Sequence, residues 1–180
     1  MKKFLLNWTT VLMVAILSVG FISCSSDDDE GGSGGSGSTT TSLDGKKVSF
    51  YSNAYWYTAF GSMHINFCSF NLLSGKPSFP MNYMSISYDI DESQTGVESV
   101  TLTSGNYDIY LAVGVTMSDE GWQGETDWKD TQNSPLVIER NGNNVTIKIE
   151  KVNVGDDNIY KTFAFSYSGP LTLLPEEYRD

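Results

Sequence analysis

The chain has 180 residues, with 22 acidic against 11 basic side chains, a formal net charge of −11 and one histidine. Such acidity argues against binding nucleic acid, whose affinity rests on neutralising phosphates with Lys and Arg. It argues equally against a polybasic hold on anionic lipid. One histidine beside two cysteines leaves no room for a His-rich zinc site, and no cofactor is expected.

In chain order, Met1-Lys2-Lys3 precedes an apolar stretch over residues 11–22. As a helix this stretch would cover about 18 Å, against a hydrocarbon core of roughly 30 Å. It is too short to span comfortably and reads as a secretory signal, residues 1–23, that is removed on export. Cys24 stands where the apolar run ends, and Ser25-Ser26-Asp27-Asp28-Asp29-Glu30 follows it. Either a peptidase cuts nearby and Cys24 is incidental, or its thiol receives a diacylglycerol and becomes the new N-terminus. Position favours lipidation, because nothing in the polar run behind Cys24 could pack a thiol.

These residues resemble the lipoprotein signal peptides of Bacteroidota, whose box has a Leu-like residue at −3, a small residue at −1 and then the cysteine. Ser23 matches the small position, with Phe21 and Ile22 ahead of it. In that group a Ser- and Asp-rich run just after the cysteine sends lipoproteins to the outer face of the outer membrane, and residues 25–30 match it. The resemblance implies an outward-facing protein anchored in the outer membrane through lipid on Cys24. Loss of residues 1–23 takes away Lys2 and Lys3 but no acid, moving the formal charge to −13. The acyl chains must then do the anchoring, and two or three of them suffice.

Residues 24–42 carry the acidic run and then Gly31-Gly32-Ser33-Gly34-Gly35-Ser36-Gly37-Ser38 with four more Thr and Ser residues. This is expected to be a flexible tether of about 20–25 Å average reach. Residues 43–180 form one domain with enough chain for a real core. Sustained 3.6-residue periodicity is absent there, and short β-rich runs alternate with Gly, Asn, Asp and Pro. Strands are expected near 47–53, 56–60, 63–72, 84–90, 98–103, 105–116, 135–140, 144–152 and 159–173.

The clearest local signal is Asn141-Gly142-Asn143 between two alternating apolar runs, a hairpin turn that needs positive φ. A second turn is expected at Ser104-Gly105-Asn106. Some nine strands in this length give an all-β, antiparallel β-sandwich, with a closed lipocalin-like barrel as the alternative. "SGNYDIY", "NGNNVTIKIEKVN" and "FAFSYSGPL", through Gly105, Tyr107, Val145 to Ile149, Tyr167, Gly169 and Leu171, are similar to uncharacterised surface lipoproteins of Bacteroidota. That resemblance implies a β-sandwich or calycin-like fold and carries no catalytic residues.

Chemistry-bearing residues are few. Cys68 and His64 share a strand and one of its faces, but residues four apart in a strand lie about 13 Å apart, too far for a nucleophile–base pair. Acidic clusters include Asp89-Ile90-Asp91-Glu92 and Asp156-Asp157. These read first as solvated turn acids; a loop calcium site through Asp89 and Asp91, or through Asp156 and Asp157, is the weaker alternative. Paired carboxylates of the kind used in glycoside hydrolysis are not indicated at strand ends, and no enzyme activity is expected.

Aromatics say more. Tyr55, Trp56 and Tyr57 form one group, while Trp122 and Trp128 lie in a polar insert over residues 118–134. Aromatics rimmed by Asp, Asn and Gln suit a sugar-binding face, and equally a protein interface; the bland reading is that either indole folds back over one end of the sandwich. The expected function is a non-catalytic binding domain for a glycan or surface protein. A carrier of a small apolar ligand and a structural part of a surface assembly are the alternatives. Cys24→Ala should leave uncleaved precursor that no longer partitions into detergent; normal processing and partitioning of the variant would remove the lipid-anchor expectation.

Overall fold

Alternation of buried and exposed positions organises nearly every element of the computed structural model, which describes residues 37–50, 53–74, 78–91, 93–118, 121–130, 134–156 and 159–179. The expected signal peptide, Cys24 and residues 25–36 of the tether lie outside the described residues. Eleven strands follow in order: β1 (Ser38–Leu43), β2 (Lys46–Lys47), β3 (Ala54–Ala59), β4 (Ser62–Cys68), β5 (Met81–Asp89), β6 (Val100–Leu102), β7 (Asp108–Ser118), β8 (Gly121–Asp130), β9 (Leu136–Asn141), β10 (Asn144–Asp156) and β11 (Ile159–Leu173).

The fold is all-β: one mixed sheet folded into two packed layers as a β-sandwich. One layer runs β2-β1-β11-β10-β9-β6 and the other β3-β4-β5-β7-β8. At one corner β11 outruns its own layer, and Leu171–Leu173 pair with Ala54–Trp56 of β3 in parallel. That pair corrects the expectation of a wholly antiparallel sandwich. The cause is length, since β11 has 15 residues and its tail continues past β10 into the second layer. At the other corner Asn153 and Val154 of β10 pair with Asp130 and Lys129 of β8.

Two strands were not expected. β1 falls inside the segment read as tether, so the folded region starts at Ser38 rather than at residue 43. Its Ser and Thr side chains bury little apolar surface, but its backbone pairs antiparallel with β11 over Ser38–Leu43, and backbone groups pair whatever the side chain. Gly37 and Gly169 pass so closely that a Cβ on Gly169 would run into the Gly37 Cα. The polar insert likewise holds β8, paired with β7 from Tyr110↔Trp128 to Ser118↔Gly121.

Between the layers Phe67 of β4 meets Phe165 and Tyr167 of β11 edge-on, with ring centroids 4.7 and 5.3 Å apart. Phe50 closes the group at 6.4 Å from both phenylalanines. Such edge-to-face pairs add about 0.5–1.5 kcal/mol each beyond the area they bury. Met63, Ile65, Met84, Ile86, Ile109 and Leu111 from one layer, and Leu136, Ile138, Val145, Ile147 and Ile149 from the other, complete the buried interior.

The second layer is covered on its outer face as well. Tyr55, Tyr57, Cys68, Met81, Tyr83, Ala112 and Val115 form a separate buried cluster there, under Phe70, Leu72 and Leu174. The chain after β11 is therefore a cover, tied down by Leu174 N–H donating to the Trp56 carbonyl at 2.8 Å and by the Arg179 Nε–H donating to the Leu174 carbonyl at 2.6 Å.

Two tight turns share one geometry. Asp44-Gly45 joins β1 to β2 with φ of 49° and 74°, and Phe60-Gly61 joins β3 to β4 with φ of 52° and 77°. Asp-Gly is a favoured pair for such a turn, whereas a bulky side chain at positive φ is strained. Phe60 is also 88% exposed, so its ring recovers little by burial. Phe60→Asn should therefore raise stability, by up to about 1 kcal/mol, read as a higher denaturation midpoint; a drop of similar size would show the ring to be part of the packing.

Candidate functional site

β3 sorts its three aromatics by parity. Tyr55 and Tyr57 fall on the outer face and are 1% and 2% exposed beneath the C-terminal cover. The Tyr55 hydroxyl donates to Asn71 Oδ1 at 2.8 Å, and Tyr57 stacks on His64 with centroids 4.8 Å apart. Both tyrosines are core residues of the outer cluster, which corrects their expected place in a binding face. Trp56, between them, points the other way, is only partly buried and packs against the main core.

The same outer cluster holds the remaining reactive groups, and burial disarms them. Cys68 is 1% exposed, and burial pushes its thiol up to about 12, far from the thiolate a nucleophile needs. Burial also holds the His64 imidazole below its ordinary 6.5, with a hydrogen bond to the Ala59 backbone acting the other way. Asn66 is fully buried, and its Oδ1 accepts from the Tyr83 hydroxyl at 2.8 Å. Burial pushes that tyrosine well above its ordinary value. This is a structural polar core rather than a reaction centre.

On the Trp56 side the two layers leave a cleft of about 260 Å³, lined by Trp56, Val97, Glu98, Arg140, Asn143 and Leu171 among others. Arg140 Nη1–H donates to the Val97 carbonyl and Nε–H to the Gly142 carbonyl, both at 3.0 Å. Those bonds fix the guanidinium between the residue 95–98 segment and the β9–β10 turn. A Cβ on Gly96 would stand 3.2 Å from Arg140 Nη1, a tight contact that a shift of a few tenths of an ångström would relieve. Glu98 lines the same cleft without an ion pair to Arg140. The surface that the cleft presents is mainly polar, with Arg140, Glu98 and Asn143 supplying donors and acceptors, and Trp56 and Leu171 contribute little exposed apolar area.

Arg140 and Glu98 were not among the sequence candidates. One signal existed for Arg140: it continues the Leu136, Ile138 parity of β9, which is the buried side of that strand. Glu98 lies in an irregular segment with no periodicity to read. Trp122 and Trp128 sit in β8, their backbones opposite Met117 and Tyr110; their side chains lie outside the described residues.

Among the described residues the calcium alternative finds no gathering of ligands. Asp89 Oδ1 accepts from the Ser62 hydroxyl at 3.0 Å, and Asp91 Oδ1 accepts from the Ser93 backbone N–H and hydroxyl at 2.9 and 2.7 Å. The Ser93 bonds hold the Asp91 carboxyl below its usual value. Asp157 lies outside the described residues, and only the backbone of Asp156 is described. Among the described residues no three His, Cys, Asp or Glu side chains come together as a metal site. Compared with known proteins, the chain matches no family model, no curated protein and no solved structure.

Because the folded pKa of His64 lies below 6.5, the unfolded chain takes up the proton first as pH falls. Its contribution to stability is complete above about pH 6.5 and declines below it. Thermal melts at about pH 7.5 and 5.5 should show a fall in midpoint at the lower pH. In His64→Gln that fall should shrink; an equal fall in the variant would assign the pH dependence to other groups, since carboxylates titrate mainly near pH 4.

Proposed function

We propose that this chain is a non-catalytic binding module, held at the outer membrane by lipid on Cys24, whose ligand occupies the Trp56–Arg140 cleft. The observation that carries the reading is the pinned guanidinium: Arg140 is held by two backbone carbonyls beside a partly exposed indole and an unpaired carboxylate. Groups fixed before a ligand arrives lower the ordering cost of binding. Polar groups converging in one cleft are what fixes the orientation of a small ligand.

Two further features fit. The tether before Ser38 is long enough, at about 5–6 Å per square root of its length, to stand the domain off a lipid surface. The space between the layers is filled by Phe67, Phe163, Phe165 and Tyr167, which supports a module with an outside site over a lipocalin-like carrier. Trp122 and Trp128 remain second candidates for ligand contact on β8.

The reading is tested with the full chain in detergent on a glycan array and a panel of surface proteins. Trp56→Ala and Arg140→Ala should each weaken whatever signal the parent gives by about tenfold or more. Binding that survives both changes but is lost in Trp122→Ala or Trp128→Ala would move the site to β8 and overturn the cleft assignment.

A further inference from the structure

Apart from the cleft, we propose that the uncovered edge of β8 takes an extended, basic segment of another protein as an added strand. A sheet edge is a row of unsatisfied backbone donors and acceptors, and proteins commonly blunt it by keeping edge strands very short. The two strands that end the sheet here obey that rule, since β2 has two residues and β6 three. β8 does not. It has ten residues, and on the side away from β7 only Lys129 and Asp130 pair, with Val154 and Asn153 of β10. Among the described residues no strand covers positions 121–128, where every second residue turns its N–H and C=O away from β7.

A bulge on the edge strand would be another means of protection, and it too is missing from β8. The register shifts between Val113↔Glu125 and Thr116↔Gln123, so Gly114 and Val115 face Gly124 alone and the extra residue stands on β7. Gly124 has a φ of 153°, and a Cβ on it would come 2.6 Å from the Val115 Cα. The irregularity is therefore taken up on the inner side of β8.

Charge selects the occupant. Positions 121–128 hold Glu125 and Asp127 and no base. They stand opposite Val113 and Leu111, two apart, and so belong to one face of the sheet. Antiparallel pairing of two copies about Thr126 would set Glu125 against Asp127 twice, and like charges directly opposite repel. An acidic segment would meet the same repulsion. A segment with Lys or Arg at positions i and i+2 places one cation opposite each acid, and the chain's formal charge of −11 speeds its approach.

Apolar surface lies beside the edge. Met117 is 45% exposed and stands opposite Trp122 in the register. Phe79 is 39% exposed and precedes Met81, which the pair Met81↔Val115 puts at the same end of the sheet. Strand addition joins backbone bonds along an edge to contacts with alternate side chains, and both are offered here.

The test uses the full chain in detergent and three peptides: Ac-Thr-Lys-Val-Lys-Val-Thr-NH2, its counterpart with Glu for Lys, and the lysine peptide methylated on every backbone nitrogen. The lysine peptide should bind, and the glutamate peptide should bind about tenfold or more weakly. The methylated peptide keeps the charge but cannot donate to the edge, and should lose binding by a similar factor. Glu125→Lys together with Asp127→Lys should reverse the preference between the first two peptides. Equal binding of the lysine peptide and its methylated form would reduce the interaction to charge alone and overturn strand addition. So would an unreversed preference in the folded double variant, no binding of any peptide, or a parent dimer in sedimentation that the lysine peptide does not dissociate. The methylated-peptide comparison needs no variant and decides the matter if the double variant fails to fold.

Discussion

The contact of Phe67 with Phe165 and Tyr167 is where the two layers become one domain. Phe67 comes from the centre of one layer and the other two rings from β11 in the opposite layer. β11 then passes to the corner, where the Tyr167 hydroxyl donates to the Pro170 carbonyl and Gly169 lets Gly37 lie against it. Its last three residues pair with β3. One strand thus supplies core side chains, receives the first strand on its edge, and fixes the orientation of Trp56.

Covering the outer face of the second layer has a consequence for chemistry. A sheet buried on both faces must accommodate polar residues on whichever face the alternation assigns them. Here His64, Asn66 and Cys68 share a face with Tyr55, Tyr57 and Tyr83. Asn66 Nδ2 is buried without a partner, and an unmade hydrogen bond of this kind costs about 1–3 kcal/mol. The Tyr83 hydroxyl satisfies the Asn66 amide oxygen, so the cost falls on Nδ2 alone.

The cleft is a product of the same geometry at the opposite face. Where β11 leaves its layer for β3, Leu171 and Trp56 come to one end of the sandwich, and the β9–β10 turn brings Arg140 and Asn143 to meet them. Bonds from Arg140 to Val97 and Gly142 join two segments 43 and 2 residues away in sequence. No single stretch of chain encodes that site.

Period-two alternation and turn chemistry were legible in the sequence. The Asn141-Gly142 hairpin, the Gly105 turn, the apolar faces of β4, β9 and β10 and the all-β class follow from local rules that need no partner strand. β1 and β8 were hidden, because their strand character comes from backbone pairing with β11 and β7 while their side chains are polar. Tyr55, Trp56 and Tyr57 read as one group in the sequence; the alternation of β3 parts Trp56 from the two tyrosines, and alternation alone does not say which face will be covered. That depended on where residues after Leu173 fold back, a contact between distant parts of the chain. The sequence by itself determined which residues alternate and where the chain turns; only the tertiary structure decided which tyrosines are sealed and which arginine is pinned, because both outcomes rest on pairings between segments far apart in the chain.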